Sequence, residues 1–364
     1  AMSARRWITT IAGLLSLAAC ARPADGPRHL IVLIADDLGW NDVGYHGSAV
    51  RTPHIDALAA EGLELDRFYT YPRCTPTRAA FLTGRSPLRY GLAYDVIRPW
   101  SDLGIPPEEE LLSERLAAEG FATALVGKWH LGHARAAQHP QRNGFGHFYG
   151  CLTGAVDYFE HRRPEGGLDW QRNGEPVDAR GEYATDLIAA EAARVIRAHD
   201  ADERLFLCVA FTAPHTPIQA PARLRPLYED FDDPLRQTFA AMVTALDEGV
   251  GTVLDALDET GLADDSIVLF FSDNGALPAT GGSNEPLRGG KAMPWEGAVR
   301  TPAVLRAPGA LPAGRSERVV TAADLLPTLW SALGLARESA QLDGQDRWPD
   351  LVAGADGGFA EFVL

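Results

Sequence analysis

The sequence predicts an α/β fold in which a large, mainly parallel (mixed) β-sheet carries helices on both faces. Two observations lead to this prediction: five short apolar runs have the character of buried strands, and helical patterns lie between them. Strands that alternate with helices form a parallel sheet, because each crossover returns the chain to the same end of the sheet. The 364 residues, 46% of them hydrophobic, suffice for a large core.

The predicted strands are short apolar, β-branched runs, and the predicted helices are marked by apolar residues at helical spacing. The strands cover residues 30–35, 122–126, 205–211, 267–271 and 303–305. The longest helix is predicted after Pro234, since apolar residues recur at three- and four-residue spacing from Phe239 to Leu257. Shorter helices are predicted over residues 108–119 and 183–198, and just after Pro76.

Residues 1–20 have the layout of a signal peptide that ends in a lipobox. Arg5 and Arg6 precede an apolar run over residues 7–19 that is too short to span a bilayer. The end of this segment resembles the lipobox of bacterial lipoproteins, in which Cys20 would be lipidated; an ordinary cleaved signal is the alternative. Both predict export, to the periplasm or to a lipid anchor in the outer membrane of a bacterium, and residues 21–28 form a linker.

The chain is acidic, with 33 Lys and Arg against 49 Asp and Glu and a net charge of −16. We expect no nucleic-acid partner, because phosphate backbones require a basic surface. An anionic substrate must therefore be captured by cations in direct contact with it. The four cysteines indicate no disulfide framework, and Cys208 is predicted to be a buried, inert thiol.

Polar side chains that can carry chemistry follow four of the predicted strands. In open α/β sheets, ligands bind beyond the carboxyl ends of the strands, so these side chains are expected to share one site. In chain order they are Asp36, Asp37, Lys128, His130, His215, Asp273 and Asn274.

Oxygen donors in this set favour a divalent cation. Carboxylate and amide oxygens suit calcium or magnesium, whereas zinc prefers histidine and cysteine. An Asp-Asp pair by itself is more often a solvated turn, but a second oxygen pair follows another strand. The four donors are Asp36, Asp37, Asp273 and Asn274.

Cationic or proton-donating side chains would surround that metal. Together they suit a tetrahedral oxyanion such as sulfate or phosphate. Taken alone, His130 and His215 are more often hydrogen-bonded structural histidines, and Lys291 is more often a solvated loop residue. They are Lys128, His130, His215 and Lys291.

The stretch from Cys74 to Arg85, with the sequence CTPTRAAFLTGR, is the most specific motif. Pro76 is predicted to begin a helix whose free N–H groups and positive dipole end point at Cys74, where an anion or an activated nucleophile is favoured. Arg78, one turn further on, can reach the same point.

This stretch resembles the signature of the sulfatase family, C-x-P-x-R followed by leucine-threonine-glycine-arginine, in which the cysteine is oxidised to formylglycine. Within that family the chain is most similar to the arylsulfatase B, or N-acetylgalactosamine-4-sulfatase, group. The similar segments extend from about residue 29 to residue 348 and include residues 36–44, 51–59, 127–132, 286–289, 291 and 295–297.

The resemblance implies a nucleophile and a metal. Cys74, as formylglycine hydrate, would be the nucleophile, and the aldehyde requires a formylglycine-generating maturase that acts on the unfolded chain. Calcium would be held by Asp36, Asp37, Asp273, Asn274 and the modified Cys74.

The resemblance also implies roles for the remaining site residues. Arg78 would steady the hydrate, and His130 would hold it and later take its proton. Lys128 and Lys291 would bind the sulfate oxygens, while His215 would stabilise or protonate the leaving oxygen.

The family has an alkaline-phosphatase-like fold, which the resemblance assigns to residues 29–335 as the catalytic domain. Members carry a smaller C-terminal domain with an antiparallel sheet and a helix, and most of it is missing here, so residues 336–364 would be a remnant. The loop over residues 275–285 departs from the family, so the contacts that select the substrate cannot be carried over.

Two other functions stay open. A phosphate or phosphonate ester hydrolase of the alkaline phosphatase superfamily shares the fold, but many such enzymes use two zinc ions and place histidine where this chain has Asn274. A non-catalytic lipoprotein that binds sulfated glycans would need no Cys74 in a maturase motif. The leading expectation is hydrolysis of sulfate monoesters on a sulfated sugar, such as a 4-sulfated galactosamine, and on aryl sulfates.

Overall fold

The computed structural model describes residues 27–335 and 341–354, so the predicted signal peptide and most of the linker lie outside it. The strands are β1 (His29–Ala35), β2 (Leu63–Leu65), β3 (Phe68–Tyr69), β4 (Phe121–Lys128), β5 (His147–Cys151), β6 (Gln171–Arg172), β7 (Glu175–Pro176), β8 (Arg204–Ala210), β9 (Ser266–Ser272), β10 (Ala303–Arg306), β11 (Gly314–Ser316) and β12 (Val320–Thr321). Ten of these form one sheet in the order β11-β2-β10-β9-β1-β8-β4-β5-β6-β7, and β3 pairs with β12.

The centre of the sheet is parallel, as predicted. Strands β9, β1, β8, β4 and β5 are neighbours and run in the same direction. All five predicted strands are present, with bounds that differ by at most two residues from the observed ones. Strand β10 is antiparallel to β9, because the chain leaves β9 at its carboxyl end and re-enters the sheet from the same edge.

Helices cover both faces of this sheet. They are α1 (Pro53–Glu61), α2 (Cys74–Thr83), α3 (Leu112–Ala118), α4 (Ala184–Ala198), α5 (Pro234–Thr260), α6 (Glu296–Val299), α7 (Leu325–Ala332) and α8 (Trp348–Val352). Alternate residues of β1 belong to two separate cores: Ile31 and Leu33 pack with α1, α4 and α5, whereas Leu30 and Val32 pack with α2, α3 and α7. This arrangement confirms the predicted fold class.

Two helices begin at different residues than predicted. Helix α3 begins at Leu112, after the predicted residue 108, because the Leu111 N–H donates to the Glu114 carboxylate (2.9 Å) and so caps the helix at this point. Helix α2 begins at Cys74 and not at Pro76, since proline is tolerated throughout the first helical turn, where its missing N–H is not needed. Cys74 is therefore itself the first helical residue.

The described C-terminal segment, residues 341–354, packs against the end of α2. The Asp343 N–H donates to the Gly84 carbonyl (3.0 Å), and the Asp343 carboxylate pairs with Arg89 (2.5 Å). The domain bounds at residues 29–335 and 336–364 remain predictions. Across residues 27–335 and 341–354, no helix has both the length and the apolar character that crossing a membrane requires.

Candidate active site

The carboxyl ends of β9, β1, β8 and β4 meet at one edge of the sheet, because these strands are neighbours. Asp36 follows β1, Asp273 follows β9, and one ligand atom from each lies within 4.8 Å of the Cys74 sulfur and of the other. Asp36, Asp37 and His215 form a second group of the same size. The structure thus brings the predicted oxygen donors and the predicted nucleophile together.

Cys74 is buried at the first residue of α2, with Arg73 as the capping residue before it. The partial positive charge of a helix N-terminus favours an anion at this position. Burial raises the pKa of the Cys74 thiol, although Lys128 and Lys291 act in the opposite direction. The unmodified thiol therefore stays protonated and is a weak nucleophile at neutral pH.

Three buried ion pairs surround Cys74. A charge taken out of water is destabilising unless an opposite charge and hydrogen bonds compensate for it, so each cation here needs its carboxylate. The pairs are Lys128 with Asp36 (Nζ to Oδ2, 2.5 Å), Arg78 with Asp273 (Nε to Oδ2, 2.9 Å) and Lys291 with Asp37 (Nζ to Oδ1, 2.6 Å).

The carboxylates influence one another because they are so close. Burial raises the pKa of Asp36 more than any single neighbour lowers it, but the charges of Lys128 and the surrounding cations together hold that pKa below its usual range. Burial and the charge of Asp36 together raise the pKa of Asp273 to about 6. The protein cations present here therefore leave the carboxylate cluster short of positive charge.

Two buried oxygens at this cluster have no hydrogen-bond partner within the described residues: Asp36 Oδ1 and Asn274 Oδ1. The Asn274 amide nitrogen donates to Asp37 Oδ1 (2.7 Å), so its amide oxygen remains the available acceptor. A buried oxygen without a donor is costly unless a ligand supplies the missing positive charge. The predicted donor set therefore fits a hard divalent cation such as calcium.

His130 lies two residues after the end of β4. Its Nε2 is 3.1 Å from the Ile97 carbonyl, and its Nδ1 has no partner among the residues described. Burial and the charge of Lys128 lower the pKa of His130 well below its usual value, so the imidazole is neutral at pH 7. A Cβ on Gly154 would come within 2.4 Å of this ring, so glycine is required there.

His215 lies on the other side of Asp37. Its Nδ1 is 2.7 Å from the Thr216 carbonyl, and its Nε2 is 3.7 Å from Asp37 Oδ2. Burial and the charge of Lys291 lower the pKa of His215. The hydrogen bond at Nδ1 leaves Nε2 as the nitrogen directed at the site.

A cavity of about 210 Å³ opens above Cys74, His130, His215 and Lys291. Lys128 is completely buried and is not among the described residues that line this cavity; its ammonium pairs with Asp36. The other lining residues, which sequence reasoning missed, are Arg73, Val96, Ile97, Arg98, Pro99, Gly154, Ala155, Pro164 and Glu165.

Thr75 is a further residue that sequence reasoning missed. Its hydroxyl donates to the His130 carbonyl (3.2 Å) and accepts from the Ile97 N–H (3.2 Å). Because the His130 ring contacts the Ile97 carbonyl, Thr75 ties the first turn of α2 to the histidine and to the cavity wall.

The amino-acid composition alone could have identified the two lysines as site residues. Of the 33 Lys and Arg residues, only Lys128 and Lys291 are lysine, and both lie at this site. A compact ammonium and a planar guanidinium are not interchangeable where a cation must fit a small buried space. Because the other basic residues of the chain are arginine, each lysine could have been predicted to be a functional residue from the composition alone.

An oxygen-lined metal site beside a nucleophile position and three cations is suited to cleaving an ester of a tetrahedral oxyanion. The chain belongs to the Sulfatase family, whose model matches residues 28–335.

Individual relatives agree with this assignment. Arylsulfatase J of Mus musculus is 39% identical over 334 residues, which are 90% of this chain and 56% of that protein. N-acetylgalactosamine-6-sulfatase of Canis lupus familiaris is 36% identical over 94% of this chain and 70% of that protein. The chain thus spans little more than half the length of arylsulfatase J, and neither relative carries the name of a 4-sulfatase.

A solved structure, Ps i-CgsB in complex with k-i-k-neocarrahexaose, superposes with a TM-score of 0.85 at 34% identity, covering 91% of this chain and 77% of that chain. The α/β architecture is therefore shared with this solved relative.

Proposed function

We propose that the protein hydrolyses sulfate monoesters, with Cys74 converted to formylglycine as the nucleophile and calcium as the metal. The observation that carries this proposal is the approach within 4.8 Å of Asp36, Asp273 and the Cys74 sulfur, at a helix N-terminus, in a chain of the Sulfatase family. Of the open alternatives, this one accounts for both the metal donors and the cysteine motif.

Calcium would be held by the carboxylates of Asp36, Asp37 and Asp273, by the Asn274 amide oxygen and by the modified Cys74. The two oxygens without hydrogen-bond partners, on Asp36 and Asn274, support this assignment. Calcium with the formylglycine hydrate would supply an activated hydroxyl for attack on sulfur and the means to release sulfate afterwards.

The protein's own residues bind the sulfate and manage the protons. Lys291, in the cavity wall, would contact the sulfate oxygens, and the buried Lys128, paired with Asp36, would add positive charge close to them. Arg78 donates to Asp273 and to the Lys128 carbonyl (2.9 Å), so it fixes both the metal donor and the end of β4.

The two histidines take part in different proton transfers, His130 as an acceptor and His215 at the leaving oxygen. His130 is neutral, and its Nδ1 has no hydrogen-bond partner in the described part of the chain, so it can accept a proton from a hydroxyl at position 74. His215, with Nε2 directed at the site, stabilises or protonates the leaving oxygen.

The proposed substrate is a sulfated sugar similar to N-acetylgalactosamine 4-sulfate, with aryl sulfates as artificial substrates. Support comes from the name of the canine relative, a sulfatase of N-acetylgalactosamine, and from the neocarrahexaose with which Ps i-CgsB forms its complex. The proposal also includes a maturase that modifies Cys74, export directed by residues 1–20 and a lipid anchor at Cys20, for which the sequence patterns described above are the support.

The direct test compares two matched reporter esters, 4-methylumbelliferyl sulfate and 4-methylumbelliferyl phosphate, with protein produced alongside a maturase. We expect kcat/KM for the sulfate ester to exceed that for the phosphate ester by at least about tenfold, because the oxygen donors suit one hard cation and neither candidate metal group among the described residues contains more than one histidine, as a pair of zinc ions would require. A preference for the phosphate ester, with stoichiometric zinc in the protein, would identify a phosphatase. Glycan binding without turnover of either ester would identify a binding lipoprotein.

Replacing Lys291 by methionine should lower kcat/KM for aryl sulfate by about a hundredfold, because the sulfate oxygens lose a cation that acts in a dry site. Lys128→Met should cause a similar loss. Lys291→Arg, which keeps the positive charge, should lose about as much activity as Lys291→Met. A planar guanidinium cannot occupy the position of the ammonium beside Asp37. Steady-state kinetics measure these effects, and near-normal activity in both methionine variants would show that the sulfate is bound elsewhere.

A further inference from the structure

Two arginines beside the nucleophile have no part in the mechanism above. Arg73 precedes Cys74 in the chain, Arg98 lies on the loop over residues 94–101, and both line the same cavity as Cys74 and Lys291. Their side chains are partly exposed, at 29% for Arg73 and 44% for Arg98. They can therefore meet a ligand that enters from solvent.

The lining of the cavity is richer in cations than the protein as a whole. Among the described residues, Arg73, Arg98 and Lys291 line it against one lining carboxylate, Glu165, whereas the chain carries −16. Asp95 pairs with the two arginines and Asp37 pairs with Lys291, so the charges are largely balanced, but cationic donors face the cavity and can attract an anion locally. A sulfate bound at Cys74 accounts for Lys291, which pairs with Asp37 beside the metal donors. It does not account for Arg73 and Arg98.

Asp95 holds the two guanidinium groups together. Its carboxylate accepts from Arg98 Nη2 (2.9 Å) and lies 3.4 Å from Arg73 Nη1. The three side chains carry a net charge of one positive unit, and each guanidinium has five N–H donors. Donors therefore remain for a carboxylate or a sulfate placed between the arginines and the cavity.

The loop that carries Arg98 is fixed relative to the nucleophile. Ile97, the preceding residue, donates to Thr75 and accepts from His130, and the Pro99 carbonyl contacts His133 Nε2 (3.0 Å). A cation held in place before binding loses little conformational entropy when the ligand arrives. The backbone of Arg73 is fixed by its position before the first residue of α2, and its guanidinium lies 3.4 Å from Asp95.

We propose that Arg73 and Arg98 form a second anion subsite next to the sulfate-binding centre. It would bind a second sulfate or a carboxylate on the same sugar or on the neighbouring one. This inference rests on the proposed sulfatase function, and it narrows the substrate class to sugars with at least two anionic groups.

The test measures how tightly three sugars compete with 4-methylumbelliferyl sulfate. They are N-acetylgalactosamine 4-sulfate, N-acetylgalactosamine 4,6-disulfate, and a disaccharide of 4-sulfated N-acetylgalactosamine with glucuronate. We expect at least one doubly charged sugar to have an inhibition constant about tenfold lower than that of the monosulfate, because a charge-assisted hydrogen bond has this strength. The disulfate and the uronate distinguish a second sulfate from a carboxylate.

Arg73→Gln and Arg98→Gln should each remove most of this preference, and the double variant should abolish it. The loss for the doubly charged sugar should exceed any loss for the monosulfate by about tenfold, which a general effect on folding would not produce. The control is Arg135→Gln, which removes an exposed arginine paired with Asp102 outside the cavity and should preserve the preference.

Two outcomes would overturn the subsite. In one, the wild-type protein shows no preference for a second charge; in the other, the double variant keeps it. Failure of the proposed function would look different, because 4-methylumbelliferyl sulfate would not be hydrolysed at all. The same three sugars would then be compared by calorimetric titration of the full chain, where loss of the preference in the double variant supports the subsite and its persistence refutes it.

Discussion

Replacing Cys74 by alanine is expected to abolish sulfate ester hydrolysis, with kcat falling at least about ten-thousandfold. Alanine cannot be converted to formylglycine and offers no oxygen at the N-terminus of α2. Peptide mass analysis of the wild-type protein should show formylglycine at residue 74 in proportion to activity. Full activity from protein that carries only the thiol would contradict the mechanism.

Two further cysteine variants sharpen this test. Cys208→Ala removes another buried thiol, which lies within β8 opposite Val32 of β1, and should keep normal activity. Cys74→Ser places one hydroxyl where the proposed mechanism needs two. It should be inactive or accumulate as a stable sulfate ester, unless the maturase of the host also converts serine, and mass analysis of the same peptide separates these outcomes.

The second large effect is expected from the metal site. Asp273→Asn removes the charge of one proposed calcium ligand at nearly constant volume, so bound calcium should fall from about one per chain to a small fraction. Because changes even to outer-shell partners of a metal commonly cost ten- to a hundredfold, we expect at least about a hundredfold loss of kcat/KM. High calcium should restore part of the activity.

Elemental analysis and a calcium titration measure this result. The matched control is Asp178→Asn, which makes the same change at an exposed carboxylate paired with Arg180. Thermal unfolding of both variants separates metal loss from loss of the fold. If the wild-type protein contains stoichiometric zinc and keeps its activity after calcium chelation, the calcium assignment is wrong.

The sequence was sufficient to predict five strands of the sheet and the meeting of their ends, but it missed β2, β5, β6, β7 and β11. Apolar runs end abruptly at Asp36 and Asp273, and parallel topology places such ends at one edge. The motif around Cys74 predicted a helix N-terminus beside the strand ends. The helix was predicted to begin at Pro76 and begins at Cys74, because proline fits every position of a first turn.

The cavity wall could not be predicted in the same way. The loop over residues 94–101 has no periodic pattern, and its position depends on single hydrogen bonds to Thr75 and His130. Arg73 and Arg98 come together through Asp95, which follows from side-chain geometry and not from spacing along the chain. In many proteins, loops of this kind determine which substrate binds, whereas the strands and helices that support them follow predictable patterns.

The restriction of lysine to positions 128 and 291 has a consequence for chemical labelling. Apart from the terminal amino group, the side-chain amines of this chain belong to two residues, and their accessibility differs: Lys128 is 0% exposed and Lys291 is 11% exposed. Of the two, Lys291 is therefore the one that an amine-selective acylating reagent can reach, inside the cavity, but its pairing with Asp37 raises its pKa, so the reaction requires alkaline pH. Occupancy of the cavity by an anion would protect that amine, so the extent of acylation reports on binding without any turnover.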